Sequence, residues 1–283
     1  MDPAAPNGAR FEGSRVAVSD LKARKHGPPL VCLTAYTTPV AQRLDAHVDL
    51  LLVGDSVAMV VYGLGTTRDV TLETMIAHGA AVVRGTSHAC VIVDLPRGSY
   101  ERSPQHAYAS ASQVMDRTGA QGVKMEGGTE LVDTIRHLVE RGIPVMGHVG
   151  LLPQRVAHRK DFKIQGRDEQ SWARVMEDGR AVGDSGAFCM VIEGTVEPLA
   201  RALTEVVPIP TIGIGASPAC DGQILVTDDL LGLFSDFTPT FVKRYAEIGE
   251  TIEQAARSYA GDVRARRFPA PEHCFAPTPT ADR

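Results

Sequence analysis

Six ionisable residues of this sequence stand at, or directly after, the ends of short apolar runs. They are Asp55, Asp94, Lys124, Glu126, His148 and Glu193. A charged group that follows several buried apolar residues is costly unless it is paired or bound to a cation. A single Asp or Glu in such a place is more often a helix cap or a solvated loop residue. Because the pattern recurs after five successive runs, it favours a shared functional site.

The three carboxylates that come first along the chain predict a magnesium site. Lys124 and Glu126 are two residues apart, so a pleated strand directs both side chains to the same side. If that side is the interior of a barrel, Glu126 meets Asp55 and Asp94 from neighbouring strands. Three converging carboxylates repel one another, and a hard divalent cation removes that repulsion. Oxygen ligands without cysteines or paired histidines favour Mg²⁺ over zinc.

A magnesium ion with open coordination positions predicts chemistry on a 2-keto acid. The carboxylate and ketone oxygens of such an acid form a bidentate chelate, and the metal acidifies the neighbouring C–H. Glu193 is the predicted general base. Lys124 is expected to neutralise substrate charge, Ser56 to hydrogen-bond the substrate carboxylate, and His148 to donate to a developing oxyanion. The predicted reaction is metal-assisted enolisation followed by carbon–carbon bond formation.

Short apolar runs that alternate with stretches of helical period must position these residues. The predicted strands are Leu30–Ala35, Leu50–Gly54, Cys90–Leu95, Gly122–Met125, Pro144–His148, Phe188–Ile192, Pro210–Ile214 and Ile224–Val226. The predicted helices are Pro39–Asp45, Leu72–Arg84, Pro104–Thr118, Glu130–Glu140, Glu169–Val182, Glu197–Val206 and Pro239–Tyr259. Thr71, Ser103 and Thr238 precede three of these helices as start signals.

Eight strands with intervening helices fit either an open, doubly wound sheet or a closed barrel. The count of eight, the incomplete dinucleotide fingerprint and the polar strand ends favour a single-domain α/β fold, a (β/α)8 TIM barrel. We expect the barrel to span residues 15–268, with a short helix around Leu21 closing one end. Residues 1–14 are predicted to be a flexible N-terminus, and residues 269–283 a proline-rich C-terminal tail.

Composition narrows the class of protein. The chain has 283 residues and a formal net charge of −5. Charges of both signs are scattered along it, which argues against nucleic acid and against a basic helix on a membrane surface. Its apolar runs are far shorter than the roughly 20 residues of a membrane-spanning helix, so no membrane partner is expected. The five cysteines form no C-x-x-C pair and, with no signal-peptide pattern, predict reduced thiols in a cytoplasmic protein.

An ordered set of motifs identifies a family. The pieces are Leu33-Thr-Ala-Tyr36, Leu52-Val-Gly-Asp-Ser56, Asp94-Leu-Pro96, Val123-Lys-Met-Glu-Gly-Gly128, Gly147-His148, Leu152-Pro-Gln154, Gln165-Gly-Arg167, Ile212-Gly-Ile-Gly-Ala216, Asp221-Gly-Gln-Ile-Leu225 and Glu272-His273. Together they resemble the ketopantoate hydroxymethyltransferase family. The resemblance implies a (β/α)8 barrel that binds Mg²⁺ and forms homo-oligomers, commonly decamers. It also implies hydroxymethyl transfer from 5,10-methylenetetrahydrofolate to 3-methyl-2-oxobutanoate, in pantothenate biosynthesis, through an enolate stabilised by magnesium, giving 2-dehydropantoate.

The resemblance also implies residue roles. Asp55, Asp94 and Glu126 match the carboxylates of the metal site, with Glu126 acting through water. Asp55, Ser56, Asp94 and Lys124 match the contacts to the keto acid, and Glu193 matches the proton acceptor. Two other hypotheses stay open from the sequence. One is a related magnesium-dependent lyase or mutase barrel for keto acids, and the other is a barrel without catalytic activity.

Overall fold

Eight parallel strands form a closed barrel in the computed structural model, which describes residues 14–234 and 239–275. The strands are β1 Leu30–Thr34, β2 Leu50–Val53, β3 Cys90–Asp94, β4 Gly122–Lys124, β5 Val145–Gly150, β6 Cys189–Glu193, β7 Thr211–Ile214 and β8 Gly222–Leu225. Each strand pairs with the next along the chain, and β8 pairs with β1. The predicted (β/α)8 barrel is confirmed.

Helices connect the strands. They are α1 Val18–Lys22, α2 Thr38–Leu44, α3 Val57–Val60, α4 Leu72–Gly85, α5 Pro104–Thr118, α6 Val132–Val139, α7 Glu169–Asp184, α8 Glu197–Val206, α9 Thr227–Leu230 and α10 Ile248–Arg264. The hydroxyls of Thr71 and Ser103 accept hydrogen bonds from backbone N–H groups in the first turns of α4 and α5. These caps satisfy N–H groups that have no partner within the helix, which explains why the two starts were readable in the sequence.

The inner face of the barrel is apolar over most of its depth. Its buried side chains recur at every second residue, as in Leu50 and Leu52, Cys90 and Ile92, and Cys189 and Val191. The intervening strand residues belong to a second cluster, which also contains helix residues such as Leu138 and Leu199 and so lies between strands and helices. A residue two positions after an inner apolar residue therefore also faces the interior.

The amino-terminal end of the barrel is closed by α1. Leu21 is buried in the inner cluster. Lys25 forms an ion pair with Asp221, its Nζ lying 2.9 Å from Oδ2. The short helix predicted near Leu21 is confirmed as a plug of this end.

Most predicted boundaries differ from the structure by one or two residues, and the last helix ends at Arg264 instead of Tyr259. The starts of β8 and of the last helix have identifiable physical reasons. Strand β8 begins at Gly222, two residues before the predicted start. At this position β8 lies so close to β1 that a Cβ would lie 2.6 Å from the Cβ of Leu30. The glycine allows this close approach and does not mark a turn. The last helix begins at Ile248 instead of Pro239. Backbone N–H groups of Tyr245 and Ile248 donate to Leu230 and Leu231, which leaves no helical ladder over residues 239–247.

Contacts within the chain define two compact units, Met1–Thr227 and Asp228–Arg283. The first contains the whole barrel. In the described part of the second, the rings of Tyr259 and Phe268 meet edge to face. The predicted domain boundaries stay predictions, and residues 1–13 and 276–283 of the predicted termini lie outside the described residues, as does Thr238. No helix in the described ranges has the length and hydropathy to cross a membrane.

Candidate active site

The predicted site residues lie at the carboxyl ends of the barrel strands, where β/α barrels place their active sites. Asp94, His148 and Glu193 each follow an inner apolar residue by two positions, after Ile92, Met146 and Val191. The strand period therefore turns all three side chains into the barrel. Asp55 lies two residues after the end of β2, in the turn that leads into α3.

Asp55, Asp94 and Lys124 form the first half of the site. Asp94 and Lys124 are register partners on β3 and β4, and Lys124 Nζ lies 2.6 Å from Asp94 Oδ1. The backbone N–H of Asp55 donates to Asp94 Oδ2 at 3.0 Å. Lys124 is only 4% exposed. An ammonium group so deeply buried requires negative partners, and the site supplies them.

The second half of the site is an imidazole between two carboxylates. His148 Nδ1 lies 3.3 Å from Glu126 Oε1, and His148 Nε2 lies 3.3 Å from Glu193 Oε2. His148 and Glu126 are buried, whereas the Glu193 side chain keeps 19% of its exposure. Glu193 is therefore the carboxylate of this group that a ligand in the barrel mouth can reach most readily.

Ser56 lies beside the metal-site candidates and is held by a tyrosine. The hydroxyls of Ser56 and Tyr36 are 2.7 Å apart, and Tyr36 is buried two residues after the end of β1. The imidazole Nδ1 of His78 lies 2.6 Å from the Tyr36 carbonyl oxygen. This contact to the Tyr36 backbone fixes the chain next to Ser56.

A left-handed glycine shapes the end of β5 next to Glu193. Gly150 has φ +96°, and a Cβ at this position would lie 2.3 Å from the carbonyl oxygen of Glu193. Glycine alone combines this backbone conformation with so close an approach. The β5 turn can therefore pass directly over the residue that the sequence analysis assigns as base.

Burial and mutual repulsion raise the pKa of two carboxyl groups. The pKa of Asp55 lies well above its usual range because the group is buried and faces Asp94 and Glu126. Burial likewise raises the pKa of Asp94, although Lys124 opposes this effect. Burial lowers the pKa of Lys124, but Asp94, Glu126 and Asp55 outweigh it and the pKa is raised overall. The carboxylates of this half of the site thus favour a bound proton or another positive charge beside them.

The other half of the site favours a protonated imidazole beside the ionised carboxylate of Glu126. Burial and Lys124 lower the pKa of His148, but Glu126 and Glu193 raise it to about 9. Burial raises the pKa of Glu126, but His148 and Lys124 lower it by more, so that the net shift is downward.

The donor set fits a magnesium ion. If all four carboxylates are ionised, they exceed the one ammonium and one imidazolium group by two negative charges, which a divalent cation would balance. The mutual repulsion that raises the pKa of Asp55 reflects the same excess. Within residues 14–234 and 239–275, no three His, Cys, Asp or Glu side chains form a ready-made metal cage. Magnesium does not need one, because it commonly binds one or two carboxylates and keeps several waters.

The structure therefore brings Asp55, Asp94, Glu126, Lys124, His148 and Glu193 into one polar cluster, with Ser56 beside Asp55. Sequence reasoning missed Gln154 and Tyr100, which are buried and hydrogen-bonded to these carboxylates or their backbone. Gln154 lies soon after β5, so its place after a strand was a usable signal. Tyr100 lies in the loop after β3 and carried no signal beyond its aromatic ring.

Comparison with known proteins decides the family. A sequence profile described as "Ketopantoate hydroxymethyltransferase" matches residues 15–271. The 3-methyl-2-oxobutanoate hydroxymethyltransferase of Rhodospirillum rubrum is 59% identical over 265 residues, covering 93% of this chain and 95% of that protein. The chain belongs to the ketopantoate hydroxymethyltransferase family. The protein of the same name from Brucella canis is 57% identical over 267 residues, covering 94% of this chain and 97% of that protein.

Solved structures that resemble this member of the ketopantoate hydroxymethyltransferase family share its fold at low identity. A phosphonopyruvate hydrolase aligns with a TM-score of 0.60 and 13% identity, covering 93% of this chain and 92% of that one. A 2,3-dimethylmalate lyase, described as a PEP mutase/isocitrate lyase superfamily member, aligns with a TM-score of 0.55 and 17% identity, covering 93% and 92%. At these identities the likeness concerns the barrel and not the chemistry.

Proposed function

We propose that this protein transfers a hydroxymethyl group from 5,10-methylenetetrahydrofolate to 3-methyl-2-oxobutanoate, giving 2-dehydropantoate for pantothenate biosynthesis. The observation that carries the proposal is the cluster of four carboxylates, one lysine and one histidine at the carboxyl end of the barrel. Its charge excess and its hard oxygen donors match a magnesium-bound keto acid. Membership of the hydroxymethyltransferase family supports the same reaction.

Asp55 and Asp94 are the residues we assign to direct contact with Mg²⁺, with Glu126 acting through water. When bound, the ion polarises the keto oxygen of the substrate and acidifies the C–H next to the ketone. The buried ammonium of Lys124 lies beside Asp94 and supplies positive charge to the substrate carboxylate or enolate. Ser56, oriented by Tyr36, donates to the substrate carboxylate. Asp55 and Asp94 complete the wall that the keto acid contacts.

Glu193 is the residue we assign as proton acceptor. Its carboxylate takes the proton from C3 of the keto acid, and the enolate carbon then forms a bond to the methylene carbon of the folate. Both bonds between that carbon and the two folate nitrogens break. One nitrogen takes up the proton removed from C3 and the other takes a proton from water, whose oxygen becomes the hydroxyl group of the product. The two ring nitrogens of His148 lie 3.3 Å from Glu126 and Glu193, so the imidazolium orients both carboxylates. Donation from His148 to the developing oxyanion then requires its Nε2–H to turn from Glu193 to the substrate.

We also propose a homo-oligomer, a decamer by analogy with the family, and the cytoplasm as its compartment. The state of the cysteines supports the second proposal. All five are unpaired, and Cys32, Cys90, Cys189 and Cys220 are buried. Reduced thiols are typical of cytoplasmic proteins.

The reaction is tested by product analysis. The purified protein is incubated with Mg²⁺, 3-methyl-2-oxobutanoate and 5,10-methylenetetrahydrofolate, and 2-dehydropantoate is measured by mass spectrometry. We expect product only when all three components are present. Glu193→Gln should give no measurable product, while Asp133→Asn, on the exposed face of α6, serves as the matched control and should retain full activity. Turnover that survives removal of Mg²⁺ by a chelator would contradict the proposal.

A further inference from the structure

We propose that Gln154 is a positioning residue that presents Asp55 and Glu126 to the cation and thereby favours Mg²⁺ over Ca²⁺. The inference rests on the magnesium site of the proposed function. Gln154 lies in the 3-10 turn Pro153–Arg155 after β5 and is 3% exposed. It bonds to two carboxylates assigned to the metal site, Asp55 after β2 and Glu126 after β4.

The side-chain amide of Gln154 can take only one orientation. Its terminal nitrogen lies 3.0 Å from the carbonyl oxygen of Leu95, which can only accept a hydrogen bond. The same nitrogen lies 2.9 Å from Asp55 Oδ2. Both amide hydrogens are therefore used, one by the backbone and one by the carboxylate.

Tyr100 locks the other end of the amide. Its hydroxyl donates to Gln154 Oε1 at 2.7 Å and accepts from the backbone N–H of Glu126 at 3.3 Å. The hydrogen bonds run in one direction, from Glu126 through Tyr100 and Gln154 to Asp55. A buried chain in which every member has its partners is rigid.

The backbone of Gln154 acts on the second carboxylate. Its N–H donates to Glu126 Oε2 at 3.0 Å, while Glu126 Oε1 faces His148. Both oxygens of Glu126 thus face donors, which suits a carboxylate that reaches the ion through water. Asp55 has Oδ2 engaged by the fixed amide, which leaves Oδ1 as the oxygen to bind the cation.

One oxygen from each carboxylate suits magnesium better than calcium. Magnesium takes an octahedral set of single oxygens and retains waters, whereas calcium takes 6–8 oxygens and often both oxygens of one carboxylate. Gln154 opposes binding of a cation through both oxygens of Asp55, because its side-chain N–H donates to Oδ2. Without this amide, Asp55 is free to rotate and to offer both oxygens.

The test is calorimetric titration of the protein, without substrates, with MgCl₂ and separately with CaCl₂. Gln154→Met keeps the length of the side chain and removes its hydrogen bonds. We expect the Kd for Mg²⁺ to rise about 10–100-fold, as is typical when a group that orients a ligand is lost. The Kd for Ca²⁺ should change much less, so that the preference for Mg²⁺ falls at least about tenfold. Saturating Mg²⁺ should restore most of the activity.

Two further variants keep the test decisive. Tyr100→Phe removes only the hydroxyl that holds Gln154 Oε1 and should shift the preference in the same direction by a smaller factor. It carries the test alone if Gln154→Met does not fold by circular dichroism. Thr204→Val is the matched control, because it removes a buried side chain's hydrogen bonds to Ala200 and Thr211 outside the site. It should leave both Kd values unchanged.

The outcomes separate this inference from the proposed function. Suppose that the wild-type protein binds Mg²⁺ and forms product, but that the preference for Mg²⁺ over Ca²⁺ is unchanged in Gln154→Met. That result would overturn the role of Gln154 alone. If Gln154→Met does not fold, an unchanged preference in Tyr100→Phe would do the same. Equal losses for both ions would also overturn it, since they indicate general damage to the site. Failure of the wild-type protein to bind Mg²⁺ would overturn both.

Discussion

Lys124 and Asp94 show at the level of single residues how the site is balanced. Each is almost fully buried, and each would be strongly unfavourable there without the other. In the proposed mechanism the two residues have different roles, since the carboxylate is assigned to the cation and the ammonium to the anionic substrate. Removing Asp94 should therefore affect the binding of Mg²⁺, and removing Lys124 the binding of the keto acid.

Asp94→Ala should weaken magnesium binding. The substitution removes one of two carboxylates assigned to direct contact with the ion, and we expect the Kd measured by calorimetry to rise at least about tenfold. Loss of binding in this variant should occur with the circular dichroism spectrum retained. An unchanged Kd would take Asp94 out of the metal site.

Lys124→Met should act in the opposite sense on the two ligands. Loss of the ammonium removes a competitor for Asp94 Oδ1, so Mg²⁺ should bind at least as tightly as in the wild-type protein. The KM for the keto acid should rise about tenfold or more, since a hydrogen bond between charged groups contributes roughly 1.5–3 kcal/mol. Steady-state kinetics at saturating Mg²⁺ measures the change. A raised Kd for Mg²⁺ with an unchanged KM would contradict this division of roles.

At the level of elements, most of the barrel was predictable because buried parallel strands read as apolar runs. Helices α5 and α8 begin and end at their predicted residues. The start of β8 was missed because a glycine in close contact with a neighbouring strand resembles a turn. The start of α10 was missed because the backbone N–H groups of Tyr245 and Ile248 donate to Leu230 and Leu231, and no local pattern reports such long-range bonds.

A buried aspartate fixes the approach to β3, which carries Asp94. Asp45 opens a 3-10 turn and accepts hydrogen bonds from the backbone N–H groups of Ser87, His88 and Ala89. Burial raises the pKa of Asp45, but these N–H donors lower it by more, and the net shift is downward. The ionised carboxylate is therefore the form that stabilises this connection.

Asp45→Asn should destabilise the fold in a manner that depends on pH. We expect a loss of about 1.5–3 kcal/mol in the free energy of unfolding at pH 7, from urea denaturation. Because the pKa is lowered on folding, the contribution of Asp45 is present above its unfolded pKa of about 3.9 and is lost as the pH falls through the folded value. The difference between the two proteins should shrink below pH 4. A difference that stays constant down to acid pH would contradict the assignment.

At the level of the whole molecule, the sequence predicted the ionisable residues of the candidate site but not the residues that hydrogen-bond to them. The clustering of the six ionisable residues was predictable because each lies within two residues of the carboxyl end of a strand, and the barrel brings those ends together. Gln154 and Tyr100 were not, because their role depends on which backbone carbonyl and which carboxylate meet in space. Spacing along the chain does not encode such contacts.

The assembly is a prediction for the whole molecule as well. A chain of 30.3 kDa that forms a closed decamer should sediment as one species of roughly 300 kDa, because closed symmetric assemblies have a defined subunit number. Analytical ultracentrifugation at micromolar concentrations measures the mass. A monomer over the whole concentration range would contradict the proposed assembly while leaving the chemistry of the site untouched.

Hydrogen exchange on the keto acid is the most direct measurement of the central claim. The protein is incubated in D₂O with 3-methyl-2-oxobutanoate and Mg²⁺, without folate, and the C3 proton is followed by NMR. We expect this proton to be lost with Mg²⁺ present, to be retained after chelation of the metal, and to be retained in Glu193→Gln even though that variant still binds Mg²⁺. Exchange at the wild-type rate in Glu193→Gln, or exchange that needs no metal, would contradict the account.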